Sequence, residues 1–303
     1  MAKKKKKKVR WGRVLILIIA LLLILVAIIG GILFGYYKYT TATAKNINIV
    51  LIGIDGREST ENTSRADSIM LINVNKDEAL VNMISLPRDS YVELACNNKL
   101  DKITHAYSYG EILWKDNGGG RACTIDTVKS TFNLNELEKY VEVDFSKMIN
   151  LVDDIGGIEL TPSKSFCEMD ENENADSYCF EEGVSTKMNG KQALAYARHR
   201  HSDSDIYRAA RQQEVIRAMF TKVKSLGFFD MIKVAKKLLS VVDTNVTIND
   251  IIGYMDIIDK VKIEQSVAEG EDEYIYSEAD GIDLYYYRID EAWLTKINRE
   301  ITK

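Results

Sequence analysis

The sequence predicts an α/β protein: a single α/β/α domain with a central, mostly mixed β-sheet, preceded by one transmembrane helix. Three observations support this prediction. A long stretch without charged residues lies near the N-terminus, three short apolar runs follow it in close succession, and much of the remaining chain shows the apolar spacing of amphipathic helices. Strands and helices in this order are typical of a sheet that is covered by helices on both faces.

The N-terminus has the features of a membrane anchor. Lysine occupies every position of Lys3–Lys8, Arg10 and Arg13 follow, and no charged residue occurs from Val14 to Tyr37. This apolar stretch can cross a bilayer, which takes roughly 20 helical residues. Because flanking basic residues stay on the cytoplasmic side, we expect the N-terminus inside the cell and the bulk of the chain outside.

This interpretation divides the chain into four parts. In order they are a cytoplasmic basic arm, a transmembrane helix, a linker and an extracellular catalytic domain: 1–13, 14–37, 38–45 and 46–303. A cleaved signal peptide is the alternative, but its apolar core would span only about 7–15 residues. A buried helix of a soluble protein would not explain the flanking cations. We therefore expect a single-pass protein of the cell membrane, with its site close to the membrane surface.

The charge balance argues against nucleic acid as a partner. The chain has 40 basic and 45 acidic residues, and its formal net charge is −5. Without the eight N-terminal cations, 32 basic and 45 acidic residues remain, a net charge near −13. Nucleic-acid-binding domains are usually basic. Against such an acidic background, a local cluster of arginines stands out as a candidate binding site.

Three apolar runs after the linker predict neighbouring strands. They are 46–54, 68–75 and 79–86, and each ends at or is preceded by polar, turn-forming residues. Downstream, apolar spacing predicts helices over 125–132, 145–155, 190–197, 207–226, 228–242 and 248–261. Shorter runs predict strands at 158–160 and 284–287, and a closing helix is predicted over 291–301.

All four cysteines lie in the exported part of the chain. An even number in an oxidising compartment makes two disulfides plausible. Sequence order favours Cys96–Cys123 and Cys167–Cys179, although three connectivities are open in principle.

Aspartates and arginines concentrate in loops next to the predicted strands. Asp55 and Arg57 follow the first strand, Arg65 and Asp67 precede the second, and a third pair, Arg88 and Asp89, follows the third. Ligands of open α/β sheets bind at strand ends, so these loops could converge on one site. A fourth cluster lies much later in the chain: Arg198, Arg200, Asp205, Arg208, Arg211, Gln212 and Gln213.

These residue types suit a pyrophosphate group. Arginine presents a planar fork of donors that matches phosphate oxygens, and two carboxylates can hold a divalent cation that also binds phosphate. On a helix, Arg208, Arg211 and Gln212 would share a face. The alternative is a set of solvated ion pairs on a charged surface, which is the better explanation of any one pair taken alone.

Six stretches of the chain resemble the LytR-CpsA-Psr family of bacterial cell-envelope proteins. They occur in the family's order and cover over half of the chain, and together they are far more specific than any single motif. The matching stretches are NIVLIGIDGR (48–57), RADSIMLIN (65–73), SLPRDSY (85–91), KITHAYSYG (102–110), VDDIGGIEL (152–160) and NGKQALAYARHRHSDSDIYRAARQQ (189–213).

The resemblance implies an enzyme. Family members look like phosphotransferases that move a glycopolymer (wall teichoic acid, capsular or secondary-wall polysaccharide) from a polyprenyl pyrophosphate carrier to peptidoglycan. The polymer is thought to reach the C6 hydroxyl of N-acetylmuramic acid as a phosphodiester. The implied fold is an α/β/α sheet with an apolar groove for the polyprenyl chain.

The same resemblance implies a role for particular residues. Asp55 and Asp67 match the carboxylates that hold Mg²⁺, with Mn²⁺ as the alternative ion. Arg65, Arg88 and Asp89 are the candidate catalytic residues, and Asp89 follows Arg88 as in the family pattern. We hypothesise that Asp89 orients Arg88 or accepts a proton, with a structural turn residue as the alternative. The pyrophosphate-binding residues are matched by Arg65, Arg88, Arg198, Arg200, Arg208 and Gln212.

The chain departs from the family pattern in two loops. The family pattern Arg-Ser-Asp-Thr reads Arg65-Ala66-Asp67-Ser68 here. Thr104 stands at the position before His105, where the family usually has asparagine. The charged residues are intact, so we expect activity, and we interpret His105 as structural. Two other functions stay open: hydrolysis of the lipid pyrophosphate by the same residues, and a non-catalytic membrane-bound regulator.

Overall fold

The computed structural model describes residues 11–54, 65–137, 139–170, 174–199, 204–278 and 281–302, with side chains from residue 23 onwards except those of 145 and 146. Its helices are α1 Trp11–Thr43, α2 His105–Leu113, α3 Gly119–Thr131, α4 Phe145–Asp154, α5 Gly190–Arg198, α6 Asp205–Lys224, α7 Phe228–Val241, α8 Ile248–Gly253 and α9 Glu291–Ile301. Its strands are β1 Ile47–Ile54, β2 Ala66–Asn75, β3 Leu80–Leu86, β4 Tyr91–Leu94, β5 Lys99–Lys102, β6 Lys139–Asp144, β7 Ile158–Leu160, β8 Phe166–Glu168, β9 Tyr178–Phe180, β10 Thr186–Met188, β11 Asp243–Thr244, β12 Lys262–Val267, β13 Gly270–Ser277 and β14 Ile282–Ile289.

A six-stranded mixed sheet forms the centre of the domain. The strand order is β11-β6-β1-β2-β3-β12. The three predicted apolar strands, β1 to β3, form its antiparallel middle, while β6 runs parallel to β1 and β12 runs parallel to β3. The predicted mixed sheet and the adjacency of its first three strands are therefore confirmed.

Helices cover both faces of this sheet, as predicted. On one face, alternate residues such as Ile69, Leu71 and Ile84 join a core that also contains residues of α2, α3 and α9. Side chains alternate between faces along a strand, so Ser85 points to the opposite face from Ile84. There it accepts a hydrogen bond from Gln213 of α6 at 2.9 Å, which places α6 on the second face.

A second hydrophobic cluster lies among α4, α5 and α6 and the short strands β7 to β10. Its fully buried members include Tyr196 and Met188. Both predicted disulfides form: Cys167–Cys179 joins β8 to β9 in this region, and Cys96–Cys123 ties the turn after β4 to α3.

The apolar N-terminal helix continues into the domain without a break. Its described span of Leu23–Thr43 is long and apolar enough to cross a membrane. The segment expected to be a linker is helical as far as Thr43, and it packs on α8, where a Cβ on Gly253 would lie 2.9 Å from Ala44. Lys76 donates from its Nζ to the carbonyl oxygens of Thr41 and Gly253. The end of α1 is thus packed against the domain rather than tethered loosely to it.

The predicted helix over 248–261 is too long. Helix α8 ends at Gly253, and turns follow from Tyr254 to Lys260. Successive turns can bury apolar residues at nearly helical intervals, so their spacing did not distinguish them from a helix. Strands β6, β12 and β13 were also not predicted, and the predicted strand over 284–287 covers half of β14.

Candidate active site

The pairing of β1 with β2 is irregular at Asp67, near the end of β1 and the start of β2. Gly53 pairs with Ser68 and Ile54 pairs with Ala66, so Asp67 is an extra, unpaired residue in β2. Such a bulge re-aims a side chain and is common beside active sites. Here it directs Asp67, a predicted metal ligand, towards the loop that follows β3.

Arg88 lies at the centre of a charged cluster. Its guanidinium contacts Asp67 Oδ1 at 3.2 Å, Asp205 Oδ2 at 3.1 Å and Asp89 Oδ2 at 3.5 Å. Burial by itself would lower the pKa of Arg88, but the three carboxylates outweigh that effect and raise its pKa. Residues far apart in the sequence, from β2, the loop after β3 and the start of α6, therefore meet at one arginine.

Helix α6 contributes Arg208 and Gln212 to the same place. Arg208 Nη2 donates to the carbonyl oxygen of Asp67 at 3.2 Å and lies 3.4 Å from Asp205 Oδ1. Gln212 Oε1 accepts a 2.8 Å hydrogen bond from Ser68 Oγ. Positions four apart share a helix face, so this face of α6 fixes the bulged end of β2.

Lys102 completes the cluster, and the sequence prediction missed it. Its Nζ lies 2.7 Å from Asp89 Oδ1. Burial would raise the pKa of Asp89, but the hydrogen bond and charge of Lys102, followed by Asp205 and Arg88, hold that pKa below its usual value. Backbone hydrogen bonds from Ile103 to Ser90 and from Thr104 to Arg88 place the lysine here. The resemblance to the fourth motif, which begins at Lys102, was the one available signal.

Arg211 has a structural position. Although it belongs to the predicted arginine cluster, its Nη2 donates to the carbonyl oxygen of His199, and its guanidinium lies 5.1 Å from the centre of the Phe166 ring. Arg208 and Arg211 are three positions apart on α6, but Arg208 contacts Asp67 whereas Arg211 contacts His199 and Phe166. Arg198 is half-buried in the last turn of α5 and directly precedes His199, the residue that Arg211 contacts.

The remaining predicted site residues differ in their positions. Arg65 is exposed and directly precedes β2. Asp55 and Arg200 lie outside the described residues. His105 contacts Asp101 through its Nδ1 at 3.0 Å, which agrees with the structural role expected of it.

The described residues contain no group of three or more His, Cys, Asp or Glu side chains arranged to hold a metal ion. Asp67 is the one predicted ligand that the structure describes, and its Oδ1 is paired with Arg88. Ile54, the last described residue before Asp55, pairs with Ala66, which precedes Asp67. The chemistry of this donor set suits a hard cation such as Mg²⁺ if both carboxylates take part.

The fold and the cluster define an α/β/α protein with a cluster of paired arginine, lysine and aspartate side chains at one end of its central sheet. The chain belongs to the LytR_cpsA_psr family, which it matches over residues 36–303.

Similar proteins include the polyisoprenyl-teichoic acid–peptidoglycan teichoic acid transferase TagU of Bacillus licheniformis, which is 32% identical over 264 residues, or 84% of this chain and 76% of that protein. TagT of Bacillus subtilis, named for the same transfer, is 28% identical over the same shares of the two chains. The crystal structure of B. subtilis TagV matches with a TM-score of 0.73 at 27% identity, over 86% of this chain and 97% of that one. TagT bound to LIIa-WTA matches with a TM-score of 0.65 at 25% identity, over 85% and 90% of the two chains.

Proposed function

We propose that this protein transfers a glycopolymer from a polyprenyl pyrophosphate carrier to peptidoglycan as a phosphodiester. The observation that carries the proposal is the convergence of Arg88 and Arg208 on the bulge at Asp67. The relatives named above, which are transferases of polyisoprenyl-linked teichoic acid, support the same class of substrate.

In this reaction a hydroxyl oxygen of peptidoglycan attacks the phosphorus that carries the sugar. A P–O bond forms to the acceptor, the bond to the bridging oxygen breaks, and polyprenyl phosphate leaves with that electron pair. The hydroxyl proton passes to a base or to solvent. Arginine side chains stabilise the charge on the phosphate oxygens, which is the main contribution that proteins make to phosphoryl transfer.

Charge balance indicates how the site accommodates a pyrophosphate. The described cluster holds three cations, Arg88, Arg208 and Lys102, and three carboxylates contact them. A bound pyrophosphate therefore needs additional positive charge. We assign it to Arg65, Arg198 and Arg200, and to Mg²⁺, or alternatively Mn²⁺, held by Asp67 with Asp55. When bound, the ion would supply Lewis-acid charge neutralisation at the phosphates.

Asp89 suits an orienting role better than that of a general base. It contacts Arg88 on one side and Lys102 on the other, and its pKa is lowered. A carboxylate with a lowered pKa is a weak proton acceptor near neutral pH. We therefore assign Asp89 to holding Arg88 in place.

The lipid tail needs a path between the membrane and the site. The end of α1 and the bulge at Asp67 lie at opposite ends of β1, about 23 Å apart at about 3.3 Å per residue. We therefore propose that part of the lipid tail runs along the domain between the end of α1 and the site.

Helix α7 is the best candidate for the element that covers the path of the lipid tail. Every residue of α7 is described, and none is fully buried. A cavity of about 330 Å³ lies between α4 and α7. It is lined by Leu151, Ile155, Leu226, Val234 and Leu238, with Asp154, Asp230, Lys233 and Lys237. The apolar side of this cavity suits part of a polyprenyl chain.

Aromatic residues support a position of the domain against the membrane surface. The Phe228 ring at the start of α7 contacts Tyr37, where the uncharged stretch of α1 ends, with ring centres 6.3 Å apart. The adjacent Phe229 is 85% exposed. Aromatic side chains concentrate at membrane–water interfaces, so we place this tip at the outer surface of the bilayer.

The test uses the full-length protein in detergent with a polyprenyl pyrophosphate glycan and peptidoglycan. We expect a covalent glycan–peptidoglycan product in the wild type and none in Arg88→Ala. Release of the glycan without a linked product would instead identify a hydrolase. A cell in which Arg88→Ala fully replaces the wild-type protein would support the non-catalytic regulator.

The metal assignment has a separate test. Titration of Mg²⁺ into the full-length protein by calorimetry should show binding in the wild type and weakened binding in Asp67→Asn. Unchanged Mg²⁺ binding in this variant would remove Asp67 from the metal site, whatever the effect on activity.

A further inference from the structure

The hairpin of β13 and β14 begins directly at the charged cluster. Tyr287 N donates to the carbonyl oxygen of Asp89 at 2.9 Å, and a parallel bridge joins Tyr287 to Ser90. The ring of Tyr285 lies 5.9 Å from Lys102 Nζ, which in turn contacts Asp89. A molecule bound along this hairpin would therefore reach the site without a gap.

Three tyrosines form a row along one face of the hairpin. Tyr274 is the cross-strand partner of Tyr285, with ring centres 5.6 Å apart, and Tyr276 lies two residues further towards the tip. Residues two apart point to the same face of a strand. Tyr274 and Tyr276 are 68% and 62% exposed. This tyrosine row (Tyr285, Tyr274 and Tyr276) thus leads from the cluster outwards and presents two ring surfaces to solvent.

Two carboxylates flank the tyrosine row. Asp283 is the cross-strand partner of Tyr276, and Asp272 accepts a hydrogen bond from Tyr285 Oη at 2.9 Å. Both carboxylates lie on the same face of the hairpin as the tyrosines, because Asp272 is two residues from Tyr274 and Asp283 is two residues from Tyr285.

This combination of groups selects one kind of occupant. Tyrosine offers a large, rigid surface with an apolar ring and a polar tip, which suits stacking against a sugar ring. Carboxylates accept hydrogen bonds from sugar hydroxyls, but they repel a chain of phosphates. The hairpin is therefore unsuited to a polyanionic polymer, and it suits a glycan that carries no phosphate.

We propose that the tyrosine row binds the glycan strand of the peptidoglycan acceptor and delivers its hydroxyl to the charged cluster. The proposal rests on the proposed transferase function, because it names the second substrate of that reaction. The hairpin would bind the acceptor, whereas the arginines and the α7 cavity would bind the donor.

Binding to peptidoglycan tests the proposal without any turnover. The full-length protein in detergent would be mixed with sacculi stripped of their secondary polymers, and the bound fraction would be measured. The double variant Tyr274→Ala/Tyr276→Ala should bind about tenfold more weakly or worse. Tyr274→Phe/Tyr276→Phe should bind nearly as well as the wild type, because the rings remain. Tyr109→Ala, which removes a partly exposed tyrosine on α2, is the matched control and should bind normally.

Kinetics then separate this proposal from the proposed function. The alanine pair should raise KM for the acceptor about tenfold and leave KM for the lipid-linked donor unchanged. Unchanged binding to sacculi, or a rise in KM for the donor alone, would overturn the tyrosine row as the acceptor site while transfer itself still occurred. If the alanine pair loses sacculus binding and the wild-type protein transfers nothing to any acceptor, the tyrosine row stands as a glycan-binding site and the proposed transferase function is refuted.

Discussion

Lys102→Met gives a quantitative test of the cluster, because it removes one contact from a nearly buried carboxylate. The Asp89 side chain is 12% exposed and that of Lys102 is 21% exposed, and their charged atoms lie 2.7 Å apart. At an effective dielectric constant of about 20, the gross attraction at that distance is roughly 6 kcal/mol.

The net effect on stability is smaller than the gross attraction. Methionine keeps most of the packing of the lysine stem, but it leaves Asp89 with Arg88 Nε at 3.5 Å as its remaining cationic contact. Breaking a fully buried pair costs about 3–5 kcal/mol. Because both groups here keep some contact with water, we expect a loss of about 2–3 kcal/mol, or roughly 5–10 °C in midpoint for a domain of this size.

The pH dependence has a definite sign. The pKa of Asp89 is lowered in the folded protein, so its ion pair contributes stability above the ordinary aspartate pKa of about 3.9. That contribution is lost as the pH falls through the lower, folded-state pKa. The difference between wild type and Lys102→Met should therefore be full at pH 6–7 and shrink below about pH 4.

Thermal unfolding of the full-length protein in detergent measures this difference. Intrinsic fluorescence reports it, since Trp293 is buried in the main core. Asp89→Asn/Lys102→Met is the matched control and should recover part of the loss, because no uncompensated charge remains. A penalty that is equal at pH 3.5 and pH 7, or absent at pH 7, would refute the assigned ion pair.

Four further predictions follow from the site and the fold. Arg88→Lys should keep the charge but lose the fork that reaches two aspartates, so transfer should fall about 100-fold in the product assay; activity within twofold of wild type would argue against a bidentate role. Gln213→Leu removes the contacts of the Gln213 amide NH₂ with β3 and β12, and the thermal midpoint should fall by an amount equivalent to about 2–3 kcal/mol, whereas no shift would contradict the packing of α6. Replacing the Cys96–Cys123 pair by serines opens the longer disulfide loop, with a sequence separation of 27, and should cost about 3.5 kcal/mol in chemical denaturation; a smaller loss than for the second pair would contradict this order. Phe229→Trp in vesicles should show blue-shifted fluorescence that is quenched by brominated lipids, and emission typical of water would move the tip of α7 off the membrane.

The sequence predicted the apolar middle of the fold well. β1, β2 and β3 are rich in aliphatic residues, several of which are fully buried, and helix α9 matches its predicted bounds of 291–301. Strands β6 and β12 lie towards the edges of the sheet and alternate charged with apolar residues, as in KYVEVD and KIEQSV. Such short strands have weak apolar patterns, and their pairing depends on tertiary contacts that the sequence does not display.

The candidate site was predicted in its residue types but not in its connections. Arg88, Asp67, Arg208 and Gln212 do converge, as the spacing of charged loops and the family resemblance indicated. The role of Lys102 depends on backbone hydrogen bonds between distant segments, so a single lysine in a charged sequence gave no signal of its own. Arg211 was placed on one helix face with Arg208 and Gln212, because helical spacing alone could not show that its side chain contacts His199 at the end of α5.

The central claim is that the arginines around Asp67 bind the pyrophosphate of a lipid-linked glycan. A crystal structure of the protein with a polyprenyl pyrophosphate tests it most directly. We predict phosphate oxygens within hydrogen-bond distance of Arg88 and Arg208, with the prenyl chain in the cavity under α7. A diphosphate bound elsewhere, with the contacts of Arg88 to Asp67 and Asp205 unchanged, would contradict the claim.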